Sequence, residues 1–156
     1  MRTLPPFEHV VDEHGPALLR FCAAQLGPDR AEDCFQETLL SALRAYDSLR
    51  DAGAIRSWLY SIASRKAIDA HRARARGPEP LADVEDLPGA DGVELSDGSL
   101  WQHVRRLPPK QRQAVSLRYV ADLTHREIAV VMQISEAAAR RNVYEALVRL
   151  RGHLDP

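Results

Sequence analysis

Arg140, Arg141, Asn142 and Tyr144 stand almost side by side in the run REIAVVMQISEAAARRNVYEALVRLR, residues 126–151. A guanidinium group bridges the O6 and N7 edge of guanine, and a carboxamide matches the N6 and N7 edge of adenine. The chemistry on offer is therefore base reading, with no bond made or broken. Arg126 and Glu136 are the further polar groups of the run that such a surface would use. These side chains need an element slim enough for the major groove. An apolar stripe of Ile128, Ala129, Met132, Ile134, Ala139, Val143, Leu147 and Leu150 predicts two helices joined by a tight turn at Gln133–Ile134–Ser135. Thr124 with Glu127 gives a capping box for the first of them, and Ser135 caps the second. The pattern reads as a helix-turn-helix whose second helix enters the groove. By itself it also describes an ordinary two-helix packing unit.

A second cationic set lies upstream, in SRKAIDAHRARAR. Arg65, Lys66, Asp69 and Arg72 recur at three- and four-residue intervals and share a helix face, extended by His71, Arg74 and Arg76. Guanidinium groups spaced in this way neutralise successive phosphates, although a solvated helix end, favoured by the helix dipole, has the same composition. Tyr46, Trp58 and Tyr60 precede the set. An aromatic face beside a basic groove stacks on unpaired bases for about 1–3 kcal/mol each, whereas a Trp opening a packed helix belongs more often to the core. Asp33, Gln36, Glu37 and Leu40 form a mixed stripe next to Leu39 and Leu43. Such a stripe is either a solvent face or a docking site for a partner helix, and spacing does not choose between them.

The elements that must carry these groups are all helical. The first is expected at about 7–26, stopped by Gly27–Pro28 and kinked or broken at Gly15–Pro16. The second is expected at about 30–46, capped by Asp29, with Ala31, Cys34, Phe35, Thr38, Leu39, Ala42 and Leu43 inward. After a loop at 47–52 comes a third, about 54–74, with Trp58, Leu59, Ile62, Ala63 and Ile68 inward. The segment 77–98 then carries Glu79, Asp83, Glu85, Asp86, Asp91, Glu94 and Asp97, three prolines, and neither Lys nor Arg. It reads as a flexible acidic linker between two small helical domains, 1–76 and 99–156. In the second domain Leu100, Trp101 and Val104 begin one helix and Pro108–Pro109 opens another, through about Val120. The formal net charge of −1 hides a basic C-terminal part, so it is no argument against nucleic-acid binding.

Several classes are excluded. No apolar run approaches the roughly 20 residues that span a bilayer, and the N-terminus lacks the apolar core of a signal peptide, so the expectation is a cytoplasmic protein without membrane insertion. Cys22 and Cys34 are the only cysteines and sit among apolar neighbours, which points to buried thiols and leaves a regulatory disulfide open. No Cys/His cluster has zinc spacing. His9, Asp12, Glu13 and His14 are titratable, but no glycine-rich phosphate loop or nucleophile elbow accompanies them. No metal, cofactor or catalytic residue is expected, and the chain reads as a non-enzyme.

The run AEDCFQETLLSALRAYDSLRDAGAIRSWLYSIASRKAIDAHR resembles domain 2 of the extracytoplasmic-function (group 4) sigma-70 factors, and LPPKQRQAVSLRYVADLTHREIAVVMQISEAAARRNVYEALVRLR resembles their domain 4. Two matches in the right order, separated by a tether, are far more specific than either alone. The resemblance implies an initiation factor that binds core RNA polymerase, at the β′ clamp and the β flap, and recognises −35 and −10 promoter elements while the strands open. It implies polymerase docking by Asp33, Gln36, Glu37 and Leu40. The 47–52 loop, with Asp47 and Ser48, would capture a flipped base. Arg56, Trp58, Arg65, Lys66, Asp69 and Arg72 would follow the −10 element. Arg126, Glu136, Arg140, Arg141, Asn142 and Tyr144 would address the −35 element. An anti-sigma factor is a further implied partner. Many relatives carry basic residues where this chain has Asn142, Glu145 and Leu147, which predicts a shallower salt dependence. The alternative is a stand-alone helix-turn-helix regulator that keeps the fold without using polymerase. Promoter elements about 17 base pairs apart lie roughly 58 Å from one another. A relaxed linker of about 22 residues spans some 25 Å, and nearly 75 Å when drawn out. The free protein is therefore expected to be compact and to bind promoter DNA weakly until polymerase extends it.

Overall fold

A computed structural model describes residues 3–76 and 98–154. The described residues form α1 (Phe7–Leu26), α2 (Pro28–Ala45), α3 (Ile55–Arg76), α4 (Gly98–Arg105), α5 (Pro109–Tyr119), α6 (His125–Met132) and α7 (Glu136–Leu154). Single 3-10 turns at Tyr46–Ser48 and Ala52–Ala54 occupy the expected loop between α2 and α3. Among the described residues there is no strand, in keeping with the all-α reading. The expected linker lies outside the described residues, apart from Gly98, which opens α4.

The first block packs α1, α2 and α3 together. Leu18 and Phe21 of α1 and Leu59 and Tyr60 of α3 are wholly buried, and the Phe21 and Tyr60 rings meet edge to face at 5.3 Å. Burying side chains of this size stabilises the bundle by about 1.5–3 kcal/mol each. Tyr46, buried at the end of α2, packs edge-on against Phe7 at 5.2 Å and lies 6.1 Å from Trp58. Its hydroxyl donates to the Pro5 carbonyl. Tyr46 and Tyr60 are thus core residues, and the base-stacking role weighed for them does not hold. Trp58 is half-buried against the same core.

Four further expectations are corrected. α1 runs unbroken through Gly15–Pro16. Pro16 removes one N–H from the ladder, but Pro16 and Asp12, whose carbonyl loses that partner, both face solvent, so water satisfies it. α2 starts earlier than expected, because Pro28 takes the first helical position, where a missing N–H costs nothing. Asp29 is consequently inside the helix, and the N-cap is Gly27, whose φ of 90° suits glycine. Leu43 and Ile68 point outward, 54% and 38% exposed, while Ala42 and Ala67 take the inward positions.

In the second block, α4, α5 and α6 all pack on α7, whose inward stripe is Ala139, Val143, Ala146 and Leu150. The Thr124–Glu127 capping box is formed in both directions, with the Thr124 N–H donating to Glu127 Oε1 at 2.9 Å and the Glu127 N–H donating to Thr124 Oγ1 at 3.1 Å. Gln133 adopts the left-handed conformation, φ 58°, and reverses the chain between α6 and α7. The Ser135 hydroxyl then accepts the Ala138 N–H at 3.0 Å, which caps α7.

The two blocks touch. α1 packs against α4 and α5, and α3 against α6. One apolar cluster runs from Val10, Phe21 and Leu59 to Leu123, Ile128 and Val143. This is the compact arrangement that the relaxed linker length leads one to expect.

Candidate polymerase and nucleic-acid interfaces

Four surfaces follow from this packing. On α2 the buried positions Ala31, Cys34, Thr38 and Ala42 fix which side faces the bundle. Asp33, Gln36, Glu37 and Leu40 fall on the opposite side and are all exposed, with Leu43 and Arg44 continuing the stripe. Leu40 is 52% exposed. Two neighbouring leucines in water, flanked by two carboxylates, make an exposed amphipathic face. Leu43 was misassigned to the core, although its three-residue spacing from Leu40 is the signal that joins it to this stripe.

On α3 the inward side is Leu59, Ala63 and Ala67. Arg65, Asp69 and Arg72 are exposed and Lys66 partly so. At 3.6 residues per turn, Trp58, Arg65, Asp69 and Arg72 lie on one line along the helix. Arg56 does not join them. It lies nine residues before Arg65, across the helix, where its Nη2 reaches Glu127 Oε1 of α6 at 3.5 Å. Asp47 and Ser48 are exposed in the first 3-10 turn, and the Ser48 hydroxyl donates to the Ala45 carbonyl at 2.6 Å.

On α7 Glu136, Arg140, Arg141 and Tyr144 are exposed, Tyr144 by 68%. Arg126, in the first turn of α6, is exposed as well. The two arginines are held within their own helix, Arg140 by Glu136 at 3.7 Å and Arg141 by Glu145 at 3.8 Å. Glu145 also accepts a hydrogen bond from the buried Gln111 of α5 at 3.3 Å. Asn142 is only partly exposed, and its carboxamide donates to the Ala138 carbonyl at 2.9 Å. It is thus turned back along its own helix, unlike its neighbours. His125 was not singled out in the sequence. Burial lowers its pKa, the charges of Arg140 and Arg118 lower it further and Glu136 opposes them.

The fourth surface is the junction itself. Glu127 anchors it, taking Arg56 and, at 3.4 Å, the Ser57 hydroxyl. Burial alone would raise the Glu127 carboxyl. The Thr124 N–H, the Arg56 charge and the hydroxyls of Thr124 and Ser57 outweigh it and hold the group below the usual carboxylate range. At the other end, Gln25 donates to the Arg112 carbonyl at 3.4 Å, while the Gln25 carbonyl sits 2.8 Å from His71 Nε2. Burial and the charge of Arg112 push His71 down to about 4, against the Gln25 hydrogen bond, with Arg30 and Arg74 adding to the fall. These inter-block hydrogen bonds are long, at the weak end of the range. The apolar cluster carries the contact.

No group of metal-ligating side chains and no helix apolar enough to cross a membrane occurs among the described residues. A helical chain with an exposed helix-turn-helix, a separate cationic helix and an amphipathic docking face belongs to the class of DNA-binding transcription factors. Residues 10–77 match the model for Sigma-70 region 2, and residues 98–150 that for Sigma-70, region 4. The RNA polymerase sigma factor CarQ of Myxococcus xanthus is 33% identical, over 96% of this chain and 91% of that protein. The ECF RNA polymerase sigma factor SigD of Mycobacterium tuberculosis is 30% identical, over 93% and 75%. A solved sigma factor RpoE from Bartonella quintana, in complex with the anti-sigma factor NepR, shares the fold with a TM-score of 0.77, at 22% identity over 96% of this chain and 98% of that one. CnrH, solved with the cytosolic domain of CnrY, does so at 0.73, with 23% identity over 96% and 87%. The chain belongs to the sigma-70 family, as an extracytoplasmic-function RNA polymerase sigma factor. It binds core RNA polymerase and directs initiation at promoters.

Proposed function

We propose that the four surfaces divide the work of this sigma factor as follows. Asp33, Gln36, Glu37 and Leu40 dock α2 on the β′ clamp, with Leu43 buried in the same contact. Asp47 and Ser48 border the pocket for a flipped −10 base, and Trp58, Arg65, Lys66, Asp69 and Arg72 follow the melted strand and its duplex edge. Arg126, Glu136, Arg140, Arg141, Asn142 and Tyr144 address the −35 element, Asn142 after its carboxamide leaves Ala138. The β flap takes the second block, whose exposed Tyr119 and Val130 lie outside α7. Residues 1–76 and 99–156 act as separate domains once polymerase has drawn out the 77–98 linker. The protein carries out no bond chemistry of its own and works in the cytoplasm, where core polymerase is. An anti-sigma factor is its regulatory partner, in line with the solved RpoE, which is bound to the anti-sigma factor NepR.

The observation that carries this reading is the junction. Arg56 points into it, away from the α3 stripe, so the closed protein withholds one of its −10 cations. We assign the closed form to the free protein and an extended form to the holoenzyme, in which Arg56 exchanges Glu127 for DNA. Run-off transcription with purified core polymerase on a genomic promoter library tests the whole. Discrete starts sharing upstream −35 and −10 sequences are expected, together with weak binding of the free protein to the same promoters. Nanomolar binding of promoter duplex by the free protein at physiological salt contradicts the closed form. Failure to bind core polymerase at all would favour a stand-alone regulator.

A further inference from the structure

Two thiols lie outside all four surfaces. Cys22 of α1 and Cys34 of α2 are both buried and free, in a small core cluster with Ala23, Leu26, Ala31 and Ala67. They pack in one buried cluster at the contact between α1 and α2, close enough for each thiol to shift the other's pKa. Thr38, fully buried one turn on, donates its hydroxyl to the Cys34 carbonyl at 2.8 Å and lies within hydrogen-bonding reach of the sulfur. Arg30, one turn before, is pinned by its Nη2 to the Ala70 carbonyl of α3 at 3.0 Å, which holds its positive charge near Cys34. The surroundings therefore split the pair. The Cys22 hydrogen bond holds the Cys34 thiol below its ordinary value against the effect of burial, with Thr38 and Arg30 helping and Glu37 opposing. The Cys22 thiol is raised, first by that same hydrogen bond and then by burial.

We propose that Cys34 and Cys22 are an oxidisable dithiol, which hydrogen peroxide or a related hydroperoxide converts to a disulfide joining α1 to α2. In the first step the Cys34 thiolate attacks one peroxide oxygen and the O–O bond breaks. The departing hydroxide takes up the proton that Cys34 released, as water, and Cys34 becomes a sulfenic acid. In the second step the Cys22 sulfur attacks the Cys34 sulfur, the S–O bond breaks, and the Cys22 proton leaves with the oxygen as a second water. Two thiols are oxidised to one disulfide, and one peroxide is reduced to two waters. Burial slows the first step relative to an exposed thiol. It also lets Cys22, already in contact, trap the sulfenic acid before a second peroxide arrives. The bond would form on the inward side of α2, one turn before Glu37.

The test needs only the full-length protein, hydrogen peroxide and mass spectrometry. After oxidation, thiols are alkylated in denaturant and the intact monomer is weighed. The expected result is loss of two hydrogen atoms with no alkylation, reversed by dithiothreitol. Trypsin cuts after Arg20, Arg30 and Arg44, which puts the two cysteines on separate peptides, so the cross-linked pair is read directly in the wild-type protein. Cys22→Ala and Cys34→Ala should each abolish the monomer disulfide. Two alkylated thiols after treatment that fully oxidises free glutathione would overturn the proposal. So would a disulfide between two molecules, or a sulfinic acid at Cys34 with Cys22 still free.

Discussion

On α3, Arg65, Lys66 and Arg72 have no ion-pair partner among the described residues, whereas on α7 Arg140 and Arg141 each hold a carboxylate one turn away, at 3.7 and 3.8 Å. The same charged groups are thus prepared for different tasks. A free cation meets any phosphate and releases a counterion on the way, so its contribution is strong, salt-sensitive and blind to sequence. An arginine already engaged by glutamate gains less from a random phosphate. It exchanges its partner usefully only where a base edge offers the matching pair of acceptors. The first arrangement suits a strand that has lost its groove, and the second suits a duplex that must be read. On the proposed reading, Glu136 and Glu145 act as brakes on indiscriminate binding.

Several substitutions would break or sharpen that contrast. The largest effect is expected from Ile128→Ala. This side chain is wholly buried where α6 meets both α7 and the junction, and the change should cost about 2–5 kcal/mol. Thermal denaturation should show the loss, and −35 duplex binding should fail while −10 single-strand binding by α3 survives. Next comes Arg140→Ala, which should reduce discrimination between matched and mismatched −35 sequences by about 1–3 kcal/mol if the contact is bidentate, read by competition binding with holoenzyme. Arg72→Ala should instead weaken all promoters alike and lower the slope of log affinity against log salt by about 0.7–0.9.

Glu127→Gln removes the charge from the junction while leaving a residue that still completes the capping box. The pair it breaks is partly exposed, so the stability change should stay within about 0.2–1 kcal/mol. The free protein should bind promoter DNA a few-fold more tightly, as measured by fluorescence anisotropy. Glu145→Gln should have the smallest effect, a modest gain in affinity for unrelated duplex and a slightly steeper salt dependence. A loss of non-specific affinity would show that Glu145 acts chiefly through Gln111, by holding α5 to α7.

The local features were legible in the sequence. The Thr124–Glu127 capping box, the Ser135 cap and the inward stripe of α7 depend on residues within a few positions of one another, so spacing determines them. Leu43 and Ile68 show where spacing stops. Their apolar character suggested burial, but α1 and the other helices cover only the sides of α2 and α3 that carry Ala42 and Ala67, and the sequence does not state the width of that cover. Asp29 showed the pull of a familiar cap over the stronger local fact, Pro28 with its fixed φ. Tyr46 and Tyr60 had the right composition for stacking and the wrong neighbours, since both are buried against Phe7 and Phe21. The junction was out of reach: Ser57 and Glu127 are 70 residues apart, Gln25 and Arg112 are 87 apart, and no periodicity links them. Arg56 accordingly appeared among the −10 cations, whereas in the closed protein it points the other way.

The most direct test of the account is run-off transcription from many genomic promoters with core polymerase and three forms of the protein, wild type, Arg72→Ala and Arg140→Ala. Starts that depend on this protein are expected, with Arg72→Ala lowering every promoter by a similar factor and Arg140→Ala reordering them according to their −35 sequences. Equal, sequence-independent losses from both variants would contradict it.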